Sequence, residues 1–403
     1  MPGLSGKRIL FGVTGSIAAY KAADWLRSLV KEEAMATVVM TEAAARFVSP
    51  LTFSALSGQA VYHDMFDQAP DLVMAHINLS RGADAILVAP ATAQTIARLA
   101  HGMADNLLST VILAARIPVV ICPAMNSQML SHPATQDNIR RLASFGYHFV
   151  QPGRGELACG EIGDGRLADW DAAREKLLSL FAPDDLKGQT VLITAGPTRE
   201  ALDPARFLSN RSSGKMGFAL ARTARRRGAT VILVAGPVQL PDPPEIEVVH
   251  VTTAEEMRRA VMDRAATAHV VVKSAAVADF RPSTYADHKI KKTPQGIQID
   301  LIKNPDILAE LGAHRLSGQI LVGFAAESRD HAGEGQRKLI EKNVDLMVVN
   351  DILGKATGFD VETNQVTLMD REAAVTLPLL SKEETADRIW DKVLQMQNGP
   401  PRP

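Results

Sequence analysis

Short apolar runs alternate with longer amphipathic segments through the first half of the chain. Four apolar runs predict buried strands, at 8–13, 37–40, 85–89 and 118–122. Three segments have helical spacing, at 17–31, 91–101 and 106–115. Continuous apolar strands separated by helices are typical of a parallel sheet covered on both faces. Such sheets bind ligands at the carboxyl ends of their strands, so the residues that follow each strand are the candidates for chemistry.

The alternation resumes in the second half, after a polar stretch at 183–189 that contains Pro, Gly and Asp. Five apolar runs predict strands, at 190–195, 230–235, 270–273, 320–324 and 346–349. Two segments predict helices, at 216–227 and 254–268. We therefore expect an α/β protein with two Rossmann-like or flavodoxin-like parallel-sheet domains in tandem. The expected bounds are 1–182, a linker at 183–189, 190–396 and a disordered tail at 397–403.

Composition narrows the class of partner. The 403 residues carry a net charge of -1, which leaves no electrostatic footprint for nucleic acid or an anionic membrane. No apolar run reaches the roughly 20 residues that a bilayer requires, and the N-terminus lacks the apolar core of a signal peptide. Cys122 and Cys159 are too few for a disulfide framework or a zinc site. We expect a cytoplasmic protein that acts on small molecules.

The turn after the first strand is built from small residues. Gly15, Ser16 and Ile17 lead into a helix, and small residues there let backbone N–H groups reach a phosphate. The spacing is not that of a dinucleotide fingerprint, and Thr41 stands where an acidic ribose ligand is expected. The turn favours a mononucleotide over NAD. An ordinary connection between a strand and a helix would have the same appearance.

Polar residues follow two further strands. Pro90, Thr92 and Ala93 follow one, with Thr92 in a position to cap a helix, and Asn126 follows another. His76 lies in a helix-like stretch before the third strand. Taken alone, a histidine is more often a surface or core residue than a catalytic one. An asparagine in a loop is likewise more often a turn residue.

Cys159 lies in a glycine-rich segment at 153–166. Its beginning imitates a dinucleotide fingerprint, but the glycines that follow are incompatible with the helix that such a fingerprint requires. A segment of this length and composition is typical of a mobile active-site flap. The alternative is a free cysteine without a role. Cys122, at the end of an apolar strand, is expected in the core.

Together these segments resemble the homo-oligomeric flavin-containing cysteine decarboxylases, and among them the phosphopantothenoylcysteine decarboxylases. The resemblance rests on His76 and on the sequences TGSIA at 14–18, APATA at 89–93, MADNL at 103–107, PAMN at 123–126 and ACG at 158–160. It implies FMN, bound by Gly15, Ser16, Ile17, Thr41, Pro90, Thr92, Ala93, Met103 and Asp105. It further implies that His76 assists oxidation and decarboxylation. Asn126 would hold the substrate carboxylate, and Cys159 would supply a proton.

The second half contains a basic, Ser/Gly-rich helix start. Asn210 precedes Ser212, Gly214 and Lys215, but the spacing is not that of a P-loop. A helix start of this composition can still bind an anion through its dipole and its N–H groups. A second basic run, at 289–292, would ordinarily be a solvated loop.

Across 188–395 the second half resembles the phosphopantothenate–cysteine ligases. The resemblance rests on the sequences GPTRE at 196–200, LDPAR at 202–206, NRSSGKMG at 210–217, AAVADF at 275–280, KIKK at 289–292, NPDIL at 304–308 and GFAAE at 323–327. It implies CTP, with Mg2+ bridging the phosphates, and an acyl-cytidylate that L-cysteine attacks. The implied nucleotide residues are Ser212, Gly214, Lys215, Ala275, Asp279, Lys289, Asn304, Pro305, Asp306, Ile307, Phe324, Lys338 and Lys342. Lys289 would stabilise transition-state charge, while Arg206 and Asn210 would orient the acyl-cytidylate.

The order of the two halves is that of the bifunctional bacterial proteins of coenzyme A biosynthesis. The resemblance implies ligation of 4′-phosphopantothenate to L-cysteine, followed by decarboxylation of the product to 4′-phosphopantetheine. It also implies a homo-oligomer, a dodecamer built from trimeric decarboxylase and dimeric ligase contacts. The alternative is a flavin-binding regulatory or scaffold protein with only one active half. The presence of His76, Asn126 and Cys159 argues against that alternative.

Overall fold

The computed structural model describes residues 3–65, 74–291, 298–327, 331–351 and 361–398. The chain divides into two units, residues 1–182 and 183–403. Each unit has its own sheet, with helices on both faces. Among the described residues, no helix is both long enough and apolar enough to cross a membrane.

The first unit is built on parallel strands. They are β1 (Arg8–Val13), β2 (Met35–Met40), β3 (Val61–Tyr62), β4 (Ala85–Ala91), β5 (Val119–Pro123) and β6 (His148–Phe149). Two more strands, β7 (Gly153–Glu156) and β8 (Ile162–Arg166), form a separate antiparallel hairpin. The six-stranded sheet has the order β3-β2-β1-β4-β5-β6. Its direction of winding reverses between β1 and β4, where a doubly wound sheet binds its ligand.

The helices of the first unit cover both faces of the sheet. They are α1 (Ala19–Lys31), α2 (Glu42–Ala45), α3 (Pro50–Ser57), α4 (Ala75–Arg81), α5 (Ala93–Ala100), α6 (Leu107–Ala114), α7 (Ser127–Ser131), α8 (Pro133–Ser144) and α9 (Trp170–Phe181). Along β1, Phe11 and Val13 face one apolar cluster and Leu10 faces the other. Successive side chains of a strand point to opposite faces, so an uninterrupted apolar strand fills two cores.

The second unit has a larger, mixed sheet. Its strands are β9 (Thr190–Ala195), β10 (Arg199–Asp203), β11 (Arg206–Ser209), β12 (Thr230–Ala235), β13 (Glu247–His250), β14 (Val270–Lys273), β15 (Phe280–Pro282), β16 (Leu301–Lys303), β17 (Ile320–Glu327), β18 (Leu346–Asp351), β19 (Thr363–Asn364), β20 (Val366–Met369), β21 (Ala374–Thr376) and β22 (Leu380–Ser381). Its helices are α10 (Lys215–Arg226), α11 (Ala254–Ala265), α12 (Ile307–Ala313), α13 (His331–Glu341) and α14 (Lys382–Gln397). The eight-stranded sheet has the order β13-β12-β9-β14-β17-β18-β20-β21.

The predicted class, two tandem α/β domains, is confirmed, but the second sheet is not parallel throughout. Six strands of this sheet, β13, β12, β9, β14, β17 and β18 in spatial order, pair in parallel. β20 and β21 are added at the β18 edge as antiparallel strands. β20 and β21 are joined by a tight turn in which the Asp370 carboxylate accepts the N–H groups of Glu372 and Ala373 at 2.8 Å. A turn this short can connect only antiparallel strands, since a parallel pair requires a crossover.

Residues 183–189, the expected linker, are part of the second unit. Leu186 is fully buried in its core, and Asp185 accepts two hydrogen bonds from the Arg227 guanidinium at 2.7 and 2.9 Å. At the other end of the chain, Gln397 ends α14 and exchanges side-chain hydrogen bonds with Gln189. The rest of the expected tail, beyond Asn398, lies outside the described residues.

Candidate active sites in the two units

In the first unit, the loop after β1 is joined to the loop after β4. The buried Thr14 hydroxyl donates to the Pro90 carbonyl at 2.7 Å and accepts the N–H of Thr92 at 3.1 Å. Gly15 packs against α2 so closely that a Cβ atom there would lie 2.5 Å from the Cβ of Ala43. Segments that follow β1, β2 and β4 therefore meet at the winding reversal, and they carry Gly15, Thr41, Pro90 and Thr92 of the predicted flavin residues.

Hydroxyl caps begin the helices at this edge. Thr92 accepts the N–H of Thr95 at 3.2 Å and begins α5, as predicted. Thr41 accepts the N–H of Ala44 at 3.2 Å and begins α2. The start of α1, at Ala19, lies four residues after Gly15 and has no side-chain cap. Backbone N–H groups at a helix start fit the phosphate of a mononucleotide.

A cavity of about 620 Å³ opens beside this edge. Its lining includes residues from the β1 loop, the loop after β5 and the β7–β8 hairpin, among them Ser16, Ile17, Lys21, Asn126, Cys159 and Arg166. The structure therefore brings Asn126 and Cys159 to the same cavity, although 33 positions separate them in the chain.

Asn126, Cys159 and Glu161 contact one another. Asn126 Nδ2 lies 3.5 Å from Cys159 Sγ and donates to Glu161 Oε2 at 3.1 Å. The amide is oriented by its own oxygen, which accepts the N–H of Gln128 at 2.8 Å and caps α7. The nitrogen of Asn126 is therefore the group that faces the thiol.

Two further bonds hold the hairpin to the loop after β5. Ser127 Oγ donates to the carbonyl of Asp164 at 2.7 Å, and the N–H of Met125 donates to the carbonyl of Gly165 at 2.9 Å. Gly165 has φ +123°, and a Cβ atom there would lie 2.1 Å from the Met125 carbonyl oxygen. The close approach of the two segments thus requires glycine at this position. The segment predicted as a flap is a β-hairpin that lies on the Asn126 loop.

Not every predicted residue of the first unit lines the cavity. His76 is half-buried in α4, which packs against α6, and it is not among the lining residues. Met103 and Asp105 precede α6, and Asp105 pairs with Arg98 at 3.0 Å. Cys122 is fully buried, as predicted, and burial raises the pKa of its thiol.

Lys21 and Arg166 are cavity residues that the motifs did not identify. Burial lowers the pKa of Lys21, Arg166 lowers it further, and Asp169 opposes the shift. The one signal in the sequence was the spacing of Lys21, a helical turn after Ile17. The two cations give this cavity a positive wall, which suits an anionic ligand.

The second unit has a cavity of about 420 Å³ at the carboxyl ends of its central strands. Nine predicted residues line it: Asn210, Ser212, Gly214, Lys215, Ala275, Asp279, Phe324, Lys338 and Lys342. Five further lining residues lie outside the predicted motifs: Lys273, Ser274, Asn350, Asn364 and Lys382. Asn210 Nδ2 donates to the carbonyl oxygens of Ala276 and Val277 at 3.2 and 3.0 Å. These bonds tie the helix start at α10 to the loop after β14.

The helix start lies unusually close to the sheet. Gly214 has φ +78° and precedes α10. A Cβ atom on Gly217 would lie 2.5 Å from the Cβ of Ala195 and 2.8 Å from Ser274 Oγ. Because side chains at these positions would push the helix away, the glycines keep its N–H groups at the strand ends, where an anion can bind.

Lysine side chains and the Asp306 carboxylate lie close together on the α12–α13 side of this cavity. Lys342 pairs with Asp306 at 3.0 Å, and Lys273 Nζ donates to the Ala275 carbonyl at 2.9 Å. Burial, helped by Lys342, lowers the pKa of Lys273 to about 8, and Asp306 opposes the shift. Although burial alone would raise it, bonds from the Ala309 N–H and Lys342 hold the pKa of Asp306 below its ordinary value. The site therefore holds more positive charge than its own acids neutralise.

The loop at 304–307 lies next to the cavity without lining it. Asn304 donates its side-chain amide to the Ala278 carbonyl at 2.8 Å, and its own N–H donates to the Asp279 carbonyl at 2.9 Å. Pro305 follows, and Asp306 caps α12, which begins at Ile307. The predicted nucleotide residues of this loop thus support the lining residues 275–279.

Arg206 and Lys289 lie together, but apart from the lining residues. The Asp203 carboxylate is buried and accepts the N–H of Ile290 at 3.1 Å, and the Arg206 guanidinium donates to the Ile290 carbonyl. Burial alone would raise the pKa of Asp203. Its bonds from the N–H groups of Ala205 and Ile290, with the charge of Arg206, hold that pKa below its ordinary value. Lys289 is exposed, and Lys292 lies outside the described residues.

Two buried amide oxygens in this cavity lack a partner within the described parts of the chain, those of Asn350 and Asn364. Asn364 is 2% exposed, and its amide nitrogen faces Met216 Sδ at 3.9 Å. Since a buried acceptor is costly when unpaired, a donor from water or a ligand is expected at both. The described residues contain no group of three or more His, Cys, Asp or Glu side chains placed to hold a metal ion.

Two family models together match nearly the whole chain. A model described as Flavoprotein matches residues 3–181, and one described as DNA/pantothenate metabolism flavoprotein C-terminal domain matches residues 186–396. The chain is 46% identical over 391 residues to the coenzyme A biosynthesis bifunctional protein CoaBC of Vibrio cholerae, covering 96% of this chain and 98% of the relative. It is 45% identical over 403 aligned positions to the protein of the same name from Bacillus subtilis, covering 98% and 99%.

Among solved structures, the C-terminal domain of a coenzyme A biosynthesis bifunctional protein CoaBC is 40% identical, with a TM-score of 0.46, and covers 53% of this chain and 97% of that one. An FMN-dependent cysteine decarboxylase, SpaF, is 35% identical, with a TM-score of 0.38, and covers 43% and 97%.

The fold, the two cavities and the family models define a two-part enzyme with a flavoprotein as its first half. The chain belongs to the family of bifunctional coenzyme A biosynthesis proteins. The resemblance expected from the motifs is thereby confirmed, as is the combination of a decarboxylase with a ligase.

Proposed function

We propose that residues 1–182 form an FMN-dependent phosphopantothenoylcysteine decarboxylase and residues 190–396 a CTP-dependent phosphopantothenate–cysteine ligase. The second activity joins 4′-phosphopantothenate to L-cysteine, and the first converts the product to 4′-phosphopantetheine. The observation that carries the proposal is the contact of Asn126 with Cys159 at 3.5 Å, beside the loop after β1. An amide that can hold a carboxylate and a thiol that can supply a proton are the two groups that this decarboxylation requires.

The first site fits FMN. The starts of α1, α2 and α5, which follow Gly15, Thr41 and Thr92, offer N–H groups to a phosphate. The close packing of Gly15 on Ala43 leaves no room for a side chain there. Ser16, Ile17, Pro90, Ala93, Met103 and Asp105 complete the proposed set. Bound FMN would oxidise the substrate thiol and later return the electron pair, which provides the electron sink that the bare carboxylate lacks.

The chain's own residues orient the substrate and move protons. Asn126 would donate its amide to the departing carboxylate, since its oxygen is already occupied by the N–H of Gln128. Cys159 would give its thiol proton to the carbon that loses CO2. His76, which does not line the cavity of its own protomer, would assist oxidation and decarboxylation from a neighbouring protomer.

The second site would bind CTP in the 420 Å³ cavity. Lys338 and Lys342, with Asp279, Phe324 and the loop 304–307, would bind the nucleotide, while the α10 start at Ser212, Gly214 and Lys215 would bind an anionic group. Asn210 would lie beside the activated carboxyl group. Lys289 is exposed and Arg206 is half-buried, and Asp203 holds the segment of Lys289 through the N–H of Ile290. Lys289 would act on the triphosphate, and Arg206 would orient the acyl-cytidylate. Mg2+ would enter with the phosphates.

Exposed apolar side chains support a homo-oligomer. In the first unit, Ile17 and Tyr20 are 57% and 58% exposed at the cavity, and Ile162 is 78% exposed on the hairpin. In the second unit, Phe207 and Phe280 are exposed on two small hairpins outside the main sheet. We propose trimeric contacts for the first unit and dimeric contacts for the second, which close as a dodecamer in the cytoplasm.

The proposal is tested by incubating the purified protein with 4′-phosphopantothenate, L-cysteine and CTP, and following the products by mass. We expect a yellow protein that releases FMN on denaturation, consumes CTP to CMP and pyrophosphate, and forms 4′-phosphopantetheine with loss of CO2. A colourless protein that cannot be reconstituted with FMN would contradict the first half. Failure to release pyrophosphate would contradict the second.

A further inference from the structure

Glu161 lies beside Asn126 and Cys159 in the first site, and the proposed function gives it no role. One oxygen of its carboxylate, Oε2, accepts a hydrogen bond from Asn126 Nδ2 at 3.1 Å and lies 3.7 Å from Cys159 Sγ. A carboxylate of the protein therefore contacts both the amide proposed to hold the substrate carboxylate and the thiol proposed to give the proton.

We propose that Glu161 exchanges with the substrate carboxylate on Asn126, and that this exchange lets Cys159 act only after CO2 has left. The inference rests on the decarboxylase function proposed above and adds a positioning residue to it.

Competition at Asn126 follows from its fixed orientation. The amide oxygen accepts the N–H of Gln128 at 2.8 Å, so only Nδ2 faces the cavity. Two carboxylates on one amide nitrogen would repel each other at close range. A substrate carboxylate that binds Asn126 must therefore displace that of Glu161.

The displacement is confined to the tip of the hairpin, residues 157–161. The tip is a tight turn, in which the N–H of Leu157 donates to the Glu161 carbonyl at 2.8 Å and Gly160 has φ +83°. Below the tip, the hairpin is held separately by the bonds of Ser127 to Asp164 and of Met125 to Gly165. Since Cys159 and Glu161 share the tip, moving one carboxylate also moves the thiol.

This coupling orders the two chemical steps. While the substrate carboxylate occupies Asn126, the tip is displaced and the thiol stays away from the reacting carbon. When the bond to the carboxylate breaks and CO2 leaves, its electron pair remains on the substrate as the enethiol. Glu161 then returns to Asn126 and brings back Cys159, whose S–H bond breaks to give a proton to the carbon that lost CO2. The electron pair that bound FMN would hold after the first oxidation returns to the adjacent carbon as a hydride, and the Cys159 thiolate regains a proton from solvent.

The experiment compares Glu161→Ala with wild type as the full-length holoenzyme. Initial rates of CO2 release give KM for phosphopantothenoylcysteine, and product inhibition gives Ki for 4′-phosphopantetheine, which has no carboxylate. We expect KM to fall about tenfold or more, as for loss of a competing charged hydrogen bond, and Ki to stay within twofold. We also expect a larger share of turnovers to end as the oxidised enethiol, measured by mass.

Asp164→Ala is the matched control. It removes a carboxylate from the same hairpin, and that carboxylate makes no hydrogen bond or ion pair within the described residues. It should leave KM, Ki and the enethiol share as in wild type. If Glu161→Ala changes KM and Ki together, or neither of them, the exchange is wrong. A wild-type protein that releases no CO2 would instead contradict the decarboxylase function itself.

Discussion

Thr14 joins the loops after the two strands at which the first sheet reverses its winding. Its hydroxyl donates to the Pro90 carbonyl at 2.7 Å and accepts the N–H of Thr92 at 3.1 Å. The Thr14 side chain is fully buried, and its bond to Pro90 is shielded from water. The proposed FMN site thus depends on the hydroxyl of a residue that is not itself among the proposed FMN ligands.

We expect Thr14→Val to weaken the first unit and its hold on FMN. The change keeps the size of the side chain but leaves the buried Pro90 carbonyl and the part-buried Thr92 N–H without these partners, which costs about 1–3 kcal/mol of unfolding free energy. Urea unfolding and the flavin absorbance of the purified protein measure the two effects. Thr37→Val, on β2 of the same sheet, is the control, because that hydroxyl has no hydrogen bond within the described residues. Equal stability of the two variants would contradict the role of Thr14.

Replacing the Cys159 thiol should separate decarboxylation from the final proton transfer. In Cys159→Ser, CO2 release should continue while formation of 4′-phosphopantetheine falls about 100-fold or more, because a hydroxyl is a far weaker acid. The oxidised enethiol should accumulate and be visible by mass and absorbance. His76→Asn should instead abolish CO2 release. Normal yield of 4′-phosphopantetheine from Cys159→Ser would exclude the thiol as the donor.

Asn210 and Lys289 should affect different steps of the ligase. Asn210 bonds to the loop after β14 inside the cavity, whereas Lys289 lies on the segment held by Asp203. Asn210→Asp should consume CTP and release pyrophosphate but leave the acyl-cytidylate unreacted with L-cysteine present. Lys289→Gln should block pyrophosphate release, since losing a charge that stabilises the transition state costs about 3 kcal/mol or more.

Mass analysis of the same reaction mixture distinguishes the two ligase variants. Accumulation of the acyl-cytidylate in Lys289→Gln, or normal product from Asn210→Asp, would contradict these assignments. Both variants should decarboxylate added phosphopantothenoylcysteine at the wild-type rate, because the substitutions lie in the second unit.

Lys273 should make the stability of the second unit depend on alkaline pH. Burial lowers its pKa to about 8 in the folded chain, against about 10.4 when unfolded. Below pH 8 the lysine is charged in both the folded and the unfolded state. The folded state then bears the full free-energy cost of burying the charge, about 3 kcal/mol. As pH rises from 8 towards 10.5 the folded state is neutral first, so the penalty is relieved and stability increases.

Lys273→Met removes the titrating group and should flatten this dependence. The variant should be more stable than wild type at pH 7 and nearly equal to it at pH 10.5, as measured by urea unfolding. Lys187→Met, at an exposed lysine of the same unit, should follow the wild-type curve. A Lys273→Met variant with the wild-type pH dependence would show that another group is responsible.

Local sequence patterns located most of the strands and several of the site segments. The runs at 8–13, 190–195, 230–235 and 270–273 are strands with those bounds, because a strand buried on both faces must be apolar at successive positions. Asn126, Cys159, Asn210 and Ser212 were found through motifs, and each lies at a cavity at the carboxyl edge of a sheet. Such residues are recognisable because each lies in a turn whose conformation is determined by residues adjacent in the sequence.

Only the tertiary structure revealed the supporting contacts. Glu161 and Asn126 are 35 positions apart, and Thr14 and Pro90 are 76 apart. Lys273 ends a strand that reads as apolar, and its environment depends on α12 and α13 from later in the chain. The antiparallel edge of the second sheet likewise depends on which strand β20 pairs with. Pairings of this kind are decided by how the whole chain packs, and no short stretch of residues contains the distances that determine them.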